Sequence, residues 1–144
     1  MRRLLFLLLI LVPSVAFSQT FINQSREEAK KELQKDKSGK LMETDSSLVM
    51  TAIDKSWVIV YGFDEAGQCQ SERIQAGCDA CFSRLLKDVL SYKKYHWKKV
   101  NENQYISDFD SKRMIELPVD EADKVIVILR TNWTKELYRL LVGN

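Results

Sequence analysis

The chain has 144 residues, 45% of them hydrophobic, with 22 basic and 20 acidic side chains, three cysteines and one histidine. This length and apolar content suit one ordinary domain with one core. The formal net charge of +2 includes Arg2 and Arg3, and without these two the 20 remaining basic groups balance the 20 acidic ones. Without Arg2 and Arg3 the chain is formally neutral, so its overall charge gives no reason to expect nucleic acid as a partner.

The first twenty residues, "MRRLLFLLLILVPSVAFSQT", have the pattern of a secretory signal peptide: a positive start, an apolar run from Leu4 to Val12 and a more polar exit. Small residues at Ala16 and Ser18 predict cleavage after Ser18, so that residues 1–18 are the signal peptide and 19–144 a single α+β domain. The apolar run is shorter than the roughly 18 to 20 residues that span a bilayer. No cysteine lies near the predicted cleavage site, so we do not expect a lipid anchor. We expect an exported product, periplasmic or secreted, with no membrane span after cleavage.

The first half of this domain predicts one helix followed by a meander. Ser25 and Glu28 have the spacing of a capping box at the start of a helix that runs to about Gln34. Residues 35–46 are polar and predict a loop. The runs "SLVMTAI", "SWVIVYGF" and "CQSERIQA" then predict three antiparallel strands. Residues 57–63 are apolar on both faces and predict a central strand, whereas the polar third run predicts an edge strand.

The second half repeats this outline. An amphipathic helix of about four turns, ending near residues 92–94, is predicted by the spacing of Phe82, Leu85, Leu86, Val89 and Leu90. The runs "YHWKKV", "QYISDF", "RMIELPV" and "KVIVILR" predict short strands, and whether this meander has three or four remains open. Residues 132–134 can cap a last helix whose inner side would hold Leu137, Leu140 and Leu141. The order α-βββ-α-ββββ-α predicts an α+β fold in which antiparallel β-meanders form a sheet with helices packed on one face.

Export places the three cysteines where disulfides persist. If Cys69 begins an extended strand, Cys78 lies roughly 25 Å further along, whereas a disulfide needs a Cα separation of ~4.4 to 6.8 Å. We therefore predict that Cys78 pairs with Cys81 and that Cys69 is free. A bulge or a late strand start near Gln70 would overturn this pairing.

The segment "GCDACF" allows three kinds of site. Cys78 and Cys81 could form a structural disulfide, or a redox pair in which Cys78 is activated by the helix N-terminus. A zinc site would need Cys69 and His96 to join them, with spacings that match no common finger. A redox pair of the thioredoxin type follows a buried strand in a βαβ unit, whereas "QSERIQAG" is polar and the predicted topology is antiparallel. The structural disulfide is the favoured interpretation.

The segment "KKYHWKK" is the second candidate site and holds the only histidine. Its candidate binding residues are Lys93, Lys94, Tyr95, His96, Trp97, Lys98 and Lys99. Charge combined with stacking could hold an anionic glycan, a lipid headgroup or a nucleic acid, although export disfavours the last. The alternative is that Lys93 and Lys94 close the helix while Tyr95 and Trp97 turn inward.

Catalytic, metal and cofactor sites are not indicated elsewhere. The acidic residues Asp108, Asp110 and 120–123 fall in predicted turns, which explains them without catalysis. We therefore predict no catalytic residue other than the alternative redox pair, no metal and no cofactor. Two segments, 23–25 and 132–134, match the N-glycosylation pattern, which matters only in a eukaryotic host.

The signal peptide, the Ser-capped acidic helix, "YGFDEAGQC" and "CDACF" together resemble the uncharacterised small exported proteins of Gram-negative bacteria. Over about the first 55 mature residues, the order of elements is also similar to helix-plus-meander envelope domains, among them outer-membrane assembly accessories and β-lactamase-inhibitor-like proteins. The lipidation cysteine and the Gly-x-Pro turn of the assembly accessories are absent, so no functional residue is carried over. We expect a non-enzymatic binding module whose partner is an envelope or extracellular macromolecule; the alternative is a thiol-disulfide redox protein.

Overall fold

The computed structural model describes residues 20–108, 114–131 and 134–143, except for the side chains of residues 141 and 142. The predicted signal peptide lies outside these residues, as do the predicted turn at 110–112 and the first two residues of the predicted cap at 132–134. None of the helices in the described part combines the length and apolar character needed to cross a membrane.

Three α-helices and eight strands make up the described chain. The helices are α1 (Arg26–Leu33), α2 (Asp79–Ser91) and α3 (Lys135–Val142). The strands of the first half are β1 (Gly39–Glu43), β2 (Ser47–Ala52), β3 (Trp57–Phe63) and β4 (Cys69–Ala76). Those of the second half are β5 (Lys98–Asn101), β6 (Gln104–Ser107), β7 (Ile115–Asp120) and β8 (Val125–Arg130). A short 3₁₀ turn, Lys93–Tyr95, follows α2.

All eight strands form one antiparallel sheet in the order β1-β2-β3-β4-β8-β7-β6-β5. The two meanders meet where β4 pairs with β8, with Ile74 opposite Ile126. Helix α2 carries the chain from β4, in the middle of the sheet, to β5 at its far edge. The predicted α+β class, the antiparallel meanders and their alternation with helices are confirmed.

Two strands differ from the sequence predictions. The segment predicted as a loop contains β1, an edge strand that begins at Gly39, where a Cβ would lie 2.7 Å from the carbonyl oxygen of Thr51. Strand β4 is central, so its prediction as an edge strand was wrong. Its alternate residues Glu72 and Ile74 are buried while Arg73 between them is exposed. The sequence of β4 is largely polar because most of its polar side chains point away from the core.

Helices α1 and α2 cover one face of the sheet, the inner face, and bury the main core against it. Leu48, Met50 and Ile59 are between 0% and 3% exposed and pack in the same cluster as Leu85 of α2 and Ala29 of α1. Burying each of the larger aliphatic side chains contributes about 1.5–3 kcal/mol. The apolar spacing that predicts α2 is therefore the spacing that covers the sheet.

Helix α3 packs elsewhere, at the end of the sheet formed by β5 and β6. Its Tyr138 contacts Ile106, which points to the opposite side of β6 from Tyr105, a residue packed against the main core. Leu137 and Leu140 are 49% and 80% exposed, so their predicted inward orientation was wrong. The physical reason is that Tyr138 occupies the position of α3 that faces the sheet.

Candidate functional site

The Cys-x-x-Cys motif forms the first turn of α2. Cys78 is the exposed N-cap residue, and its Sγ accepts a hydrogen bond from the backbone N–H of Cys81 at 3.0 Å. The two cysteines form a disulfide with a Cα separation of 5.0 Å, which is the predicted pairing. Gly77 brings the motif against the β2–β3 turn: its N–H donates to the Ser56 carbonyl oxygen at 2.8 Å, and a Cβ there would lie 2.4 Å from the Lys55 carbonyl oxygen.

The surroundings of the motif bear on its chemistry. The expectation that no buried strand precedes Gly77 was wrong, because β4 is central and its inner side is buried. Cys69, the free cysteine, is fully buried, and burial raises the pKa of its thiol well above the usual range. The structure does not bring the cysteines and His96 together as the zinc hypothesis requires. Among the residues that it describes, no group of three or more His, Cys, Asp and Glu could hold a metal ion. Cys78 is thus the one solvent-exposed cysteine.

The segment from Lys93 to Lys99 exposes its lysines, whereas two of its aromatic rings, Tyr95 and Trp97, pack within the fold. Tyr95 is only 3% exposed and packs against Trp97 with a ring-centroid distance of 5.7 Å. The indole N–H of Trp97 donates to the Val89 carbonyl oxygen at 3.1 Å. His96 is exposed in a left-handed conformation, with φ at 48°, and ends the 3₁₀ turn. A ligand at this segment would meet Lys93, Lys94, Lys98 and Lys99 without a stacking platform.

A buried polar cluster, which the sequence analysis does not predict, joins the first described residues to the sheet. Glu72 on β4 is 4% exposed, and its Oε1 accepts hydrogen bonds from the Thr20 hydroxyl, at 2.7 Å, and from the Phe21 N–H. The Thr20 N–H donates to the Tyr95 hydroxyl at 2.5 Å. A cavity of about 30 Å³, lined by these groups and by Tyr61, lies beside them. This space is about the size of one water molecule.

Electrostatics at this cluster are set by burial. Desolvation raises the pKa of Glu72 to about 7, although the hydrogen bonds from Thr20 and Phe21 act to lower it. The phenol of Tyr61 also has its pKa raised well above the usual range, first by desolvation and then by the nearby Glu72. The carboxyl is closed off from solvent, so it serves the attachment of the N-terminal segment rather than contact with an external substrate.

The side of the sheet opposite α1 and α2 is a larger surface. We call the outward-pointing, solvent-reached side chains of β1 to β4 and β8 the open face: Lys40, Met42, Ser47, Val49, Thr51, Val58, Val60, Ser71, Arg73, Gln75, Val127 and Leu129. One row of directly opposed residues crosses five strands, from Met42 through Val49, Val60 and Arg73 to Val127. Helix α3 packs beyond this face, at β5 and β6.

Half of the twelve side chains of the open face are aliphatic, four are polar and uncharged, and two are charged. Its valines are half-exposed and belong to neither of the two buried clusters, while Met42 is 59% exposed. Its charged side chains are Lys40 and Arg73, and neither forms an ion pair with any residue in the described ranges. A contiguous aliphatic surface of this kind marks interaction sites on soluble proteins.

A groove of about 730 Å³ runs along α2 on the other side of the sheet. Its apolar floor is Phe82, Leu86 and Leu90, one helical turn apart, and these side chains also pack against the main core. Its rim carries both signs of charge, including Asp79 and Lys124, which lie 3.7 Å apart. The groove therefore selects no particular charge in a ligand.

The sequence carries a signal for the open face that composition alone hides. In β2, β3 and β8, aliphatic residues occupy both alternating sets of positions, so each strand has apolar side chains on both faces although helices cover only one. The outward position of Arg73 follows only from the pairing of β4 with both β3 and β8. No family model, no curated protein and no solved structure matches the chain.

Proposed function

We propose that the chain is an exported, non-enzymatic module that binds a partner protein in the envelope or the extracellular space through the open face. The observation that carries this proposal is the row of opposed side chains across five strands, mostly aliphatic and reached by solvent. An antiparallel sheet can keep one face in water when that face is polar. Here the central strands instead expose valines. Removing these side chains from water by binding a partner would be energetically favourable.

The other candidate sites support this choice. Rings in the segment from Lys93 to Lys99 pack internally, so its aromatic residues are engaged in the fold. The single histidine, His96, stands exposed at the end of a turn, and the carboxyl with a raised pKa, Glu72, is buried. Neither arrangement offers an accessible acid–base pair.

Site-specific photocrosslinking in the cells that express the chain tests the proposal. A photoreactive phenylalanine analogue replaces Val60 on the open face or, as a matched control, Lys31, an exposed residue of α1 on the helix side. We expect a discrete protein adduct from position 60 and none of the same mass from position 31. Absence of an adduct at position 60, or the same adducts from both positions, would contradict the proposal.

A second candidate function is thiol–disulfide exchange by Cys78 and Cys81. It is favoured by one observation: Cys78 is an exposed N-cap residue whose sulfur accepts the Cys81 N–H, an arrangement that would stabilise a thiolate. In the reduced protein, the Cys78 thiolate would attack a substrate disulfide, break its S–S bond, form a mixed disulfide and release the first substrate thiolate. Cys81 would then displace the second substrate thiolate, which leaves the substrate reduced by two electrons and the motif oxidised.

The reduction potential separates this function from a structural disulfide. We would measure it, together with the pH dependence of Cys78 alkylation, in mature protein that carries Cys69→Ser. A potential between roughly −120 and −270 mV with an acidic Cys78 thiol supports exchange, whereas a potential below about −300 mV with an ordinary titration supports a structural role. We expect a potential below about −300 mV.

A further inference from the structure

We infer that the partner presents a carboxylate within an apolar patch, and that Arg73, on strand β4 of the open face, binds this carboxylate. The inference rests on the proposed function and adds the chemistry of the partner and the residue that recognises it. Its basis is that Arg73 lies between valines of the neighbouring strands and forms no ion pair with any residue that the structure describes.

Arg73 lies on β4, the strand that joins the two meanders. Val60 and Val127 are directly opposite it on the two neighbouring strands, while Ser71 and Gln75 flank it along β4 on the same face. Its side chain is exposed and forms no ion pair with a described residue. A planar guanidinium between two valines can bind a carboxylate with two parallel hydrogen bonds while the partner excludes water around it.

The charged side chains of the open face indicate the charge of the partner's matching surface. Both charged side chains on the open face, Lys40 and Arg73, are positive. The acidic side chains in the outward rows of β7 are Glu116 and Asp120, which lie beyond Leu129 and Val125. Each already accepts a hydrogen bond at 3.0 Å, Glu116 from the Gln104 side chain and Asp120 from the Asp123 N–H. Complementary potentials set the specificity of interfaces, so the matching surface is acidic and apolar.

The density of the charges favours a protein over other anionic partners. Phosphate polymers and anionic membranes are bound by clusters of cations, whereas the two cations of the open face, Lys40 on β1 and Arg73 on β4, are separated by two strands. The chain's lysine cluster, Lys93 to Lys99, lies instead around the turn between α2 and β5. A second copy of the chain is also disfavoured, because two positively charged faces would repel each other.

The test extends the photocrosslinking experiment. The protein captured from position 60 is identified by mass spectrometry and purified, and its affinity is measured for the mature chain, for Arg73→Glu, for Arg73→Gln and for the control Lys31→Glu. Lys31 is exposed on α1 and undergoes the same change of charge as Arg73. Far-UV circular dichroism and thermal unfolding confirm that the variants are folded.

We expect Arg73→Glu to weaken binding by at least roughly tenfold, Arg73→Gln by less, and Lys31→Glu by under about twofold. Replacing the partner's acidic residue nearest the crosslinked position with arginine should restore binding to Arg73→Glu. If Arg73→Glu binds like the unmodified chain, the inference fails while the proposed function stands. If position 60 gives no protein adduct, the proposed function itself fails.

Two further outcomes identify a different partner and overturn the inference. One is an adduct whose mass is that of two copies of the chain. The other is binding to vesicles that contain phosphatidylglycerol, lost in Arg73→Glu and kept in Lys31→Glu, which would assign the open face to a membrane surface.

Discussion

The two faces of the sheet are made by the same strands and differ in what covers them. On β2, the inward Leu48 and Met50 are at most 1% exposed beneath the helices, whereas Val49 between them is half-exposed on the open face. Both kinds of side chain are aliphatic, so hydrophobicity alone does not decide which face becomes the core. The helices decide it, and they leave the open face with aliphatic residues that the core does not need.

The largest effect should come from truncating a leucine that the helices bury. Leu85 on α2 is 1% exposed, and Leu85→Ala should lower the free energy of unfolding by about 3 kcal/mol, because it removes buried methyl groups and leaves a cavity. The matched control is Leu140→Ala on α3, at a position 80% exposed, where the change should stay within about 0.5 kcal/mol. Urea unfolding followed by circular dichroism measures both. Equal losses of unfolding free energy in the two variants would mean that burial beneath the helices does not make Leu85 more important for stability than Leu140.

The buried carboxyl of the inner face should make stability depend on pH. Burial raises the pKa of Glu72 from 4.5 to about 7, so the folded chain binds the proton more tightly than the unfolded chain. The stability that this group contributes is then fully present below pH 4.5 and is lost as the pH rises to 7, by about 3 kcal/mol in all.

Glu72→Gln tests this dependence because the amide is uncharged at every pH and keeps an acceptor for Thr20 and Phe21. Between pH 5 and pH 8, the unmodified chain should lose about 2 to 3 kcal/mol of unfolding free energy relative to the variant. Carboxyls whose pKa is lowered, such as Glu43 and Asp64, are common to both proteins, so their effects cancel in the comparison. Parallel pH profiles for the two proteins would count against the raised pKa.

Reduction of the disulfide should have a smaller effect. Cys78 and Cys81 are three residues apart, and so short a loop restricts the unfolded chain by only about 2 kcal/mol. Helix α2 is held mainly by Phe82, Leu85 and Val89, which are buried against the sheet. The paired substitution Cys78→Ser with Cys81→Ser should therefore unfold cooperatively in urea, with a midpoint only modestly lowered. Loss of a cooperative transition would show that α2 depends on the covalent link.

The smallest effect should be found on the open face. Val60→Thr on β3 exchanges a methyl for a hydroxyl where solvent reaches the side chain, and the unfolding free energy should change by less than about 0.5 kcal/mol. The same substitution at Val119 on β7, which is 7% exposed on the inner face, should cost about 1 to 3 kcal/mol because the hydroxyl is buried. Thermal and urea unfolding of the two variants measure the difference directly. Similar costs would mean that the open face is covered in solution.

The sequence predicts the elements whose signals are local. The capping box of Ser25 and Glu28 is present at the start of α1, since both partners lie within one turn. The apolar spacing of α2 and the two-sided apolar pattern of β3 identify those elements for the same reason. These signals need no information from distant parts of the chain.

The features that sequence analysis misses depend on distant pairing. Strand β4 becomes central only because β8, about fifty residues later, pairs with it, and the outward position of Arg73 and the burial of Glu72 both follow from that pairing. Strand β1 is polar and lies at the edge, where packing demands little of its side chains. The two-sided apolar pattern of β2, β3 and β8 indicates that both faces of the sheet carry aliphatic side chains, but the sequence does not state which face the helices cover.

The attachment of the N-terminal segment has a consequence for the order in which the molecule assembles. Thr20 is bound by Glu72, 52 positions later, and by Tyr95, 75 positions later. A ribosome makes Thr20 long before either partner, so the beginning of the domain cannot reach its final place until α2 and the turn after it have been synthesised. The first meander can pair earlier through its short connections, because local contacts close faster than distant ones. The segment around Thr20 is therefore among the last parts of the domain to reach its final position, and a fusion placed just before Thr20 should delay completion of the fold more than one placed after α3.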